Sequence, residues 1–290
     1  MESSTIIVLG GPAAGKTVYL SVLYHHLWGG HDGLSMRAGS GTLHSELLKS
    51  AEDIQAGNFP PATQALKHYD FELRHNSMLL HLRFLDYPGE LFRKVFYDMA
   101  VDSNEARQLY EACTAANGVI VLADPQSTVD GTWDIDYAIT NLLRFYKSNG
   151  RRRPQFVLAF TKRDQTQALV KGSVTEFVRK RLPHLWQVLG SGMRLMHFCS
   201  VHRSADAIEL ARVEAVAAPL TAIIQAIEYD NAAKDRATYR RRVEWRRAVM
   251  RCTIGLVLAA ATFLSFVAGV SCRYRVTSTR STDAVRTDRR

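Results

Sequence analysis

Eight residues near the start of the chain, GGPAAGKT at 10–17, constrain its fold more than any other feature. They satisfy GxxxxGK[ST] and stand between a short apolar run, TIIVL at 5–9, and an apolar stretch of helical length at 16–28. A strand, a glycine-bearing turn and a helix in that order aim backbone N–H groups and the positive end of a helix dipole at one point. Such a turn binds phosphate. Gly10, Gly11, Pro12, Ala13, Ala14 and Gly15 would cradle the oxygens and Lys16 would reach the β- and γ-phosphates, which makes it a candidate catalytic group. The hydroxyl of Thr17 would ligate Mg²⁺.

The pattern beyond the turn predicts strands alternating with helices. After a glycine-rich loop at 29–41, leucines and isoleucine spaced for one face predict a helix over 43–56. Paired prolines exclude a helix in NFPPAT at 58–63. Strands are expected at 68–74 and 78–86 around a polar turn at 75–77, then at 118–124, 155–161 and 194–200. Helices are expected to end near Asn117, to cover 134–148 and 174–189, and to run from Ser204 onward. After the first hairpin this alternation implies a mostly parallel sheet with helices on both faces, whose ligands bind beyond the carboxyl ends of the strands.

A second motif falls at such an end. Asp86-Tyr-Pro-Gly89-Glu90 closes the 78–86 strand. Asp86 would hold Mg²⁺, through water, and the Gly89 N–H would meet a γ-phosphate. A threonine in the segment between the two motifs should complete the γ-phosphate and Mg²⁺ contacts. Thr63 is the candidate, as metal ligand and catalytic group, with Thr42 as the alternative.

Composition narrows the setting. The 290 residues are 47% hydrophobic and 22% charged, enough for one α/β domain and an appendage. The four cysteines are scattered without metal-ligand spacing and read as reduced thiols. The first residues lack the basic region and apolar length of a signal peptide. Net charge is +9, but it is concentrated late: residues 234–251 hold eight basic side chains against two acidic ones, and 273–290 hold six against two. The globular part carries no excess, so no nucleic-acid partner is expected. Between those blocks, residues 252–272 are uncharged. As a helix they would extend about 31 Å, matching a bilayer core of about 30 Å. The expected organisation is a nucleotide domain at 1–233, a basic juxtamembrane helix at 234–251, one C-terminal transmembrane helix at 252–272 and a disordered basic tail at 273–290.

These motifs, in this order over about residues 5–226, resemble the translation-factor-related (TRAFAC) class of P-loop GTPases. GPAAGKTVYLSVLYHHL, PPAT and LDYPGE look most like the bacterial double-GTPase-like proteins, some of which belong to conflict systems. The resemblance implies the P-loop NTPase fold, a three-layer α/β/α sandwich, with GTP/GDP and Mg²⁺ as ligands. It also implies that TKRD at 161–164 reads the base: Asp164 would accept from the guanine N1–H and amine, and the Lys162 stem would lie along the ring. Thr161, among the expected nucleotide-binding residues, stands where asparagine is commoner, a departure at the position that ties this loop to the phosphate turn in the family. Ser200 and Val201 would offer a backbone N–H to the guanine oxygen. Glu90 occupies the place of a water-orienting glutamine, where a carboxylate would repel γ-phosphate charge. Slow intrinsic hydrolysis follows, needing a protein effector or activator, a second protomer or a nearby arginine such as Arg93, itself read first as a surface residue. The expectation is a membrane-anchored GTP-binding switch, its nucleotide domain cytoplasmic. The alternatives are a nucleotide-loaded membrane scaffold with negligible hydrolysis, or a P-loop ATPase.

Overall fold

A computed structural model describes residues 4–280, apart from 62, 77, 132–133, 149–153, 171, 190–193 and 205–206. The side chains of 147–148, 234–235, 247–248, 251 and 253–280 also lie outside the described set. The chain divides into two units, Met1–Tyr229 and Asp230–Arg290.

The first unit is built on a seven-stranded sheet of order β2-β3-β4-β1-β5-β6-β7. Its strands are β1 (Ser4–Gly10), β2 (Leu34–Ala38), β3 (Lys67–His75), β4 (Met78–Asp86), β5 (Gly118–Ala123), β6 (Gln155–Phe160) and β7 (Arg194–His197). From β4 to β7 all neighbours are parallel, while β2 and β3 add an antiparallel edge. The central strands read as unbroken apolar runs because both faces are covered. Alternation still sorts their side chains. Ile6 and Val8 of β1, Ile120 and Leu122 of β5, and Val157 and Ala159 of β6 face one core. There they meet α1 (Lys16–Leu27), α2 (Gly41–Gln55) and the start of α10 (Val213–Arg280). Ile7, Leu9, Val119, Val121 and Leu158 face the opposite core. Its helices are α3 (Gly89–Phe96), α4 (Asn104–Ala115), α6 (Ile135–Ser148), α8 (Val174–Arg181) and α9 (Pro183–Leu189). The fold is thus the expected α/β arrangement, a mostly parallel sheet flanked by helices.

Three local expectations are corrected. The glycine-rich loop contains β2, whose alternate residues Leu34 and Met36 are buried against α1 and whose partner is β3. The helix expected over 174–189 is two helices. Leu182 before Pro183 sits at φ −128°, ψ 60°, because the proline ring excludes helical backbone from the residue ahead of it. No helix begins at Ser204; instead β8 (Val201–Arg203) pairs antiparallel with β9 (Ile208–Leu210), and α10 starts at Val213. Short helices α5 (Pro125–Asp130) and α7 (Arg163–Thr166) follow the ends of β5 and β6.

The second unit contains the remainder of α10. Its described side chains are mostly exposed, Tyr239 and Trp245 among them at 70% and 69%. Among the described residues, no helix is long and apolar enough to cross a membrane. The transmembrane helix expected at 252–272 falls, apart from Cys252, on side chains outside the described set, as does the expected tail at 273–290.

Candidate functional site

Gly10, Asp86, Asp124, Thr161 and Ser200 lie at or just beyond the carboxyl ends of β1, β4, β5, β6 and β7, the edge where a parallel sheet presents ligands. The turn after β1 departs from ordinary backbone at two points. Gly15, the N-cap of α1, has φ 78°, and Ala13 has φ 53°. Left-handed backbone costs a residue with a Cβ about 1–2 kcal/mol, so the Ala13 conformation has to be held by its surroundings. Alternating right- and left-handed residues turn consecutive N–H groups inward, the arrangement that receives an anion.

Lys16 lies inside this turn. Its Nζ donates to Gly10 O and Gly11 O, each at 3.1 Å, and stands 4.7 Å from the centre of the Tyr87 ring. Burial pushes its pKa down to about 8, against the opposing pull of the Asp86 carboxylate. Beneath it Tyr87 is fully buried, and its hydroxyl accepts from Gly10 N–H at 2.9 Å. Tyr87 therefore joins the end of β1 to the 86–90 motif. Sequence reasoning passed over it, although a large aromatic residue between a strand end and Pro88 is a usable signal.

Asp86 is 4% exposed and gathers both threonines. The Thr17 hydroxyl donates to Oδ2 at 3.1 Å, and the Thr63 hydroxyl donates to Oδ1 at 2.9 Å. Thr42 lies instead exposed in the first turn of α2. One carboxylate and two hydroxyls form an all-oxygen set beside an anion-receiving turn, which suits a small hard cation such as Mg²⁺. Gly89 touches the turn from the other side, where a Cβ would stand 2.3 Å from Pro12 N. Only glycine fits there.

The second half of the site comes from β6 and β7. Thr161 is buried, and its hydroxyl donates to Ala14 O at 3.1 Å, with Ala123 O at 3.3 Å. The TKRD loop is thus tied to the phosphate turn with threonine, not the commoner asparagine, in place. Lys162, at φ 58°, extends its Nζ to Asp124 Oδ2 at 2.6 Å. Asp124 is itself buried and caps α5 through Gln126 N–H. Asp124 was expected only as a strand end, since nothing local marks it as the partner of a lysine 38 residues away. Asp164 is exposed in the first turn of α7. Backbone bonds from Arg163 N–H to Phe198 O and from Ala211 N–H to Ser200 O hold the ends of these loops together.

A cavity of about 380 Å³ joins the two halves, lined by residues 12–18, Phe59, Pro60, Pro61, Thr63, Tyr87, Gly89, Lys162 and Arg203. Its size suits a nucleotide. Asp164, Ser200, Val201 and Glu90 are not among its lining residues. Glu90 is exposed in the first turn of α3, and the exposed Arg93 guanidinium lies over the Tyr97 ring at 5.5 Å. Arg203 lines the cavity without having been expected there.

The chain matches the Double-GTPase 2 family over residues 4–215. Among solved structures it is similar to nucleolar GTP-binding protein 1 of Plasmodium falciparum, at 14% identity and TM-score 0.44, covering 84% of this chain and 96% of that one. It is also similar to the Arl6 BBS3 small GTPase of Trypanosoma brucei with a bound GppNp analogue, at 14% identity and TM-score 0.37, covering 69% and 87%. None of the curated proteins matches it. The family match spans most of the chain and every motif of the site, so the chain belongs to the Double-GTPase 2 family of GTP-binding P-loop GTPases.

Proposed function

We propose that the protein is a membrane-held, guanine-nucleotide-dependent switch that hydrolyses GTP slowly. The observation that carries the reading is the convergence of Thr17 and Thr63 on Asp86 beside the Lys16 turn. Lys16 would exchange its two backbone carbonyls for phosphate oxygens, and Gly89 would present its N–H to the terminal phosphate. Thr17, Thr63 and Asp86 would hold Mg²⁺, which when bound neutralises charge on the β- and γ-phosphate oxygens. Thr63 and the 86–90 segment would then be ordered by the γ-phosphate and released after hydrolysis, changing which protein partner the domain holds. Asp164 would read guanine and exclude adenine, with Ser200 and Val201 at the guanine oxygen. Against an ATPase stands the same Asp164, which adenine would leave unpaired.

A second reading, a nucleotide-loaded scaffold that barely hydrolyses, is favoured by the exposed position of Glu90 outside the cavity. Single-turnover hydrolysis by the purified full chain separates the two. Slow but measurable release of phosphate, well below about 1 per second, is expected of the switch. A rate above that without a partner contradicts our reading of Glu90, and no phosphate release over many hours leaves the scaffold. Membrane attachment rests on the uncharged run at 252–272 between basic flanks. The full chain should float with liposomes and resist carbonate extraction, with the nucleotide domain on the cytoplasmic side; recovery in the soluble fraction would refute it.

A further inference from the structure

Arg203 belongs to the short β8–β9 hairpin, whose first residue, Val201, is one of the two expected at the guanine oxygen. Its guanidinium lies over the Phe59 ring at 4.1 Å. Phe59 opens the proline pair that runs to Thr63, and Phe59, Pro60, Pro61 and Thr63 form one wall of the cavity facing the phosphate turn. Thr63 at the far end of that wall is bonded to Asp86. Near the base of the wall, a Cβ added at Gly57 would stand 3.7 Å from the Ile208 side chain of the hairpin. Paired prolines stiffen the start of that wall at 59–61, since each fixes φ and restricts the residue ahead of it.

We propose that Arg203 is a positioning residue of the nucleotide site: it holds Phe59 in place where both line the cavity beside the phosphate turn. The proposal rests on the nucleotide reading above and adds to it a link between the base end and the Phe59 wall of the cavity. Ser200 leads into β8, Val201 opens it, and Arg203 at its end holds Phe59. Phe59 and Arg203 both line the cavity, so the contact acts on release of a nucleotide seated there.

Release of a fluorescent guanine nucleotide from the full chain tests this. Arg203→Ala and Phe59→Leu should each speed release about two- to fivefold, the range for an exposed cation–π contact. The double variant should be no faster than either single one, because both remove one interaction. Arg203→Lys, which keeps a cation over the ring, should recover part of the effect. Unchanged release in Arg203→Ala, or effects of the two singles that multiply in the double, would overturn the proposal. A second readout needs no ligand. In nucleotide-free protein, amide hydrogen exchange over residues 57–66 should rise in Arg203→Ala and Phe59→Leu alike, with the melting temperature of the domain unchanged. If the chain bound no guanine nucleotide the functional reading would fall, while the exchange result would still decide the contact. Equal exchange in wild type and Arg203→Ala would refute it.

Discussion

Replacing Thr161 by valine tests how the phosphate turn is held. The change keeps the branched shape at a residue 4% exposed and removes one hydroxyl. Of its two acceptors, Ala123 O keeps the Thr161 backbone N–H at 2.9 Å, whereas Ala14 O loses the donor at 3.1 Å. Ala14 is 2% exposed, so its carbonyl has little access to replacement water. A buried acceptor left unsatisfied costs about 1–3 kcal/mol. Taking about 2 kcal/mol, a domain of this size should melt about 4–8 °C lower. The same bond sits next to Ala13, whose left-handed backbone tends to relax once its neighbour is freed. Nucleotide affinity should therefore fall too, by about tenfold if some 1.4 kcal/mol of the loss appears in binding. Thr161→Asn restores a donor and should recover most of both. Thermal melts and equilibrium binding of the full chain give the two numbers. A valine variant that melts within 1 °C of wild type, by about the limit expected of a neutral surface change, and binds equally well would refute the reasoning.

Lys16 gives a pH signature. Burial holds its pKa near 8 in the free protein, and phosphate oxygens would raise it. Below pH 8 the lysine is charged before and after binding, so affinity should be flat; above pH 8 binding takes up a proton and affinity should fall, toward about tenfold per pH unit. Titration calorimetry in two buffers at pH 8.5 should register that uptake, and Lys16→Arg, which stays charged, should lose it. Gly89→Ala places a Cβ against Pro12 N and should destabilise the protein by about 1–3 kcal/mol. Because the collision is with the turn itself, nucleotide affinity should drop with it; a variant with wild-type melting and binding would mean that the turn yields freely.

Much of the site was legible because contiguous residues encode it. A phosphate turn needs glycine, lysine and threonine at fixed spacing between a strand and a helix, and that order alone locates Gly15, Lys16 and Thr17. The juxtaposition of Thr63 with Asp86 follows from the same reasoning, since the prolines at 60 and 61 leave Thr63 in an extended segment at the start of a hairpin. Asp124 and Arg203 were not legible. Their partners, Lys162 and Phe59, are 38 and 144 residues away, and no local pattern marks a long-range contact. The β8–β9 hairpin escaped notice because its strands are three residues each, too short to show alternation. The strand β2 was concealed by the glycines around it, although LSMRA does alternate. The break at Pro183 carried a plain signal that the helical periodicity on either side outweighed.

The central claim is that TKRD reads guanine above a phosphate turn. Affinity for GTP and ATP with Mg²⁺, measured side by side for wild type and Asp164→Ala, tests it most directly. The account predicts a strong GTP preference that collapses in the variant, while the phosphate turn keeps a residual affinity for both nucleotides. Equal binding of the two, or an ATP preference untouched by the substitution, would contradict it.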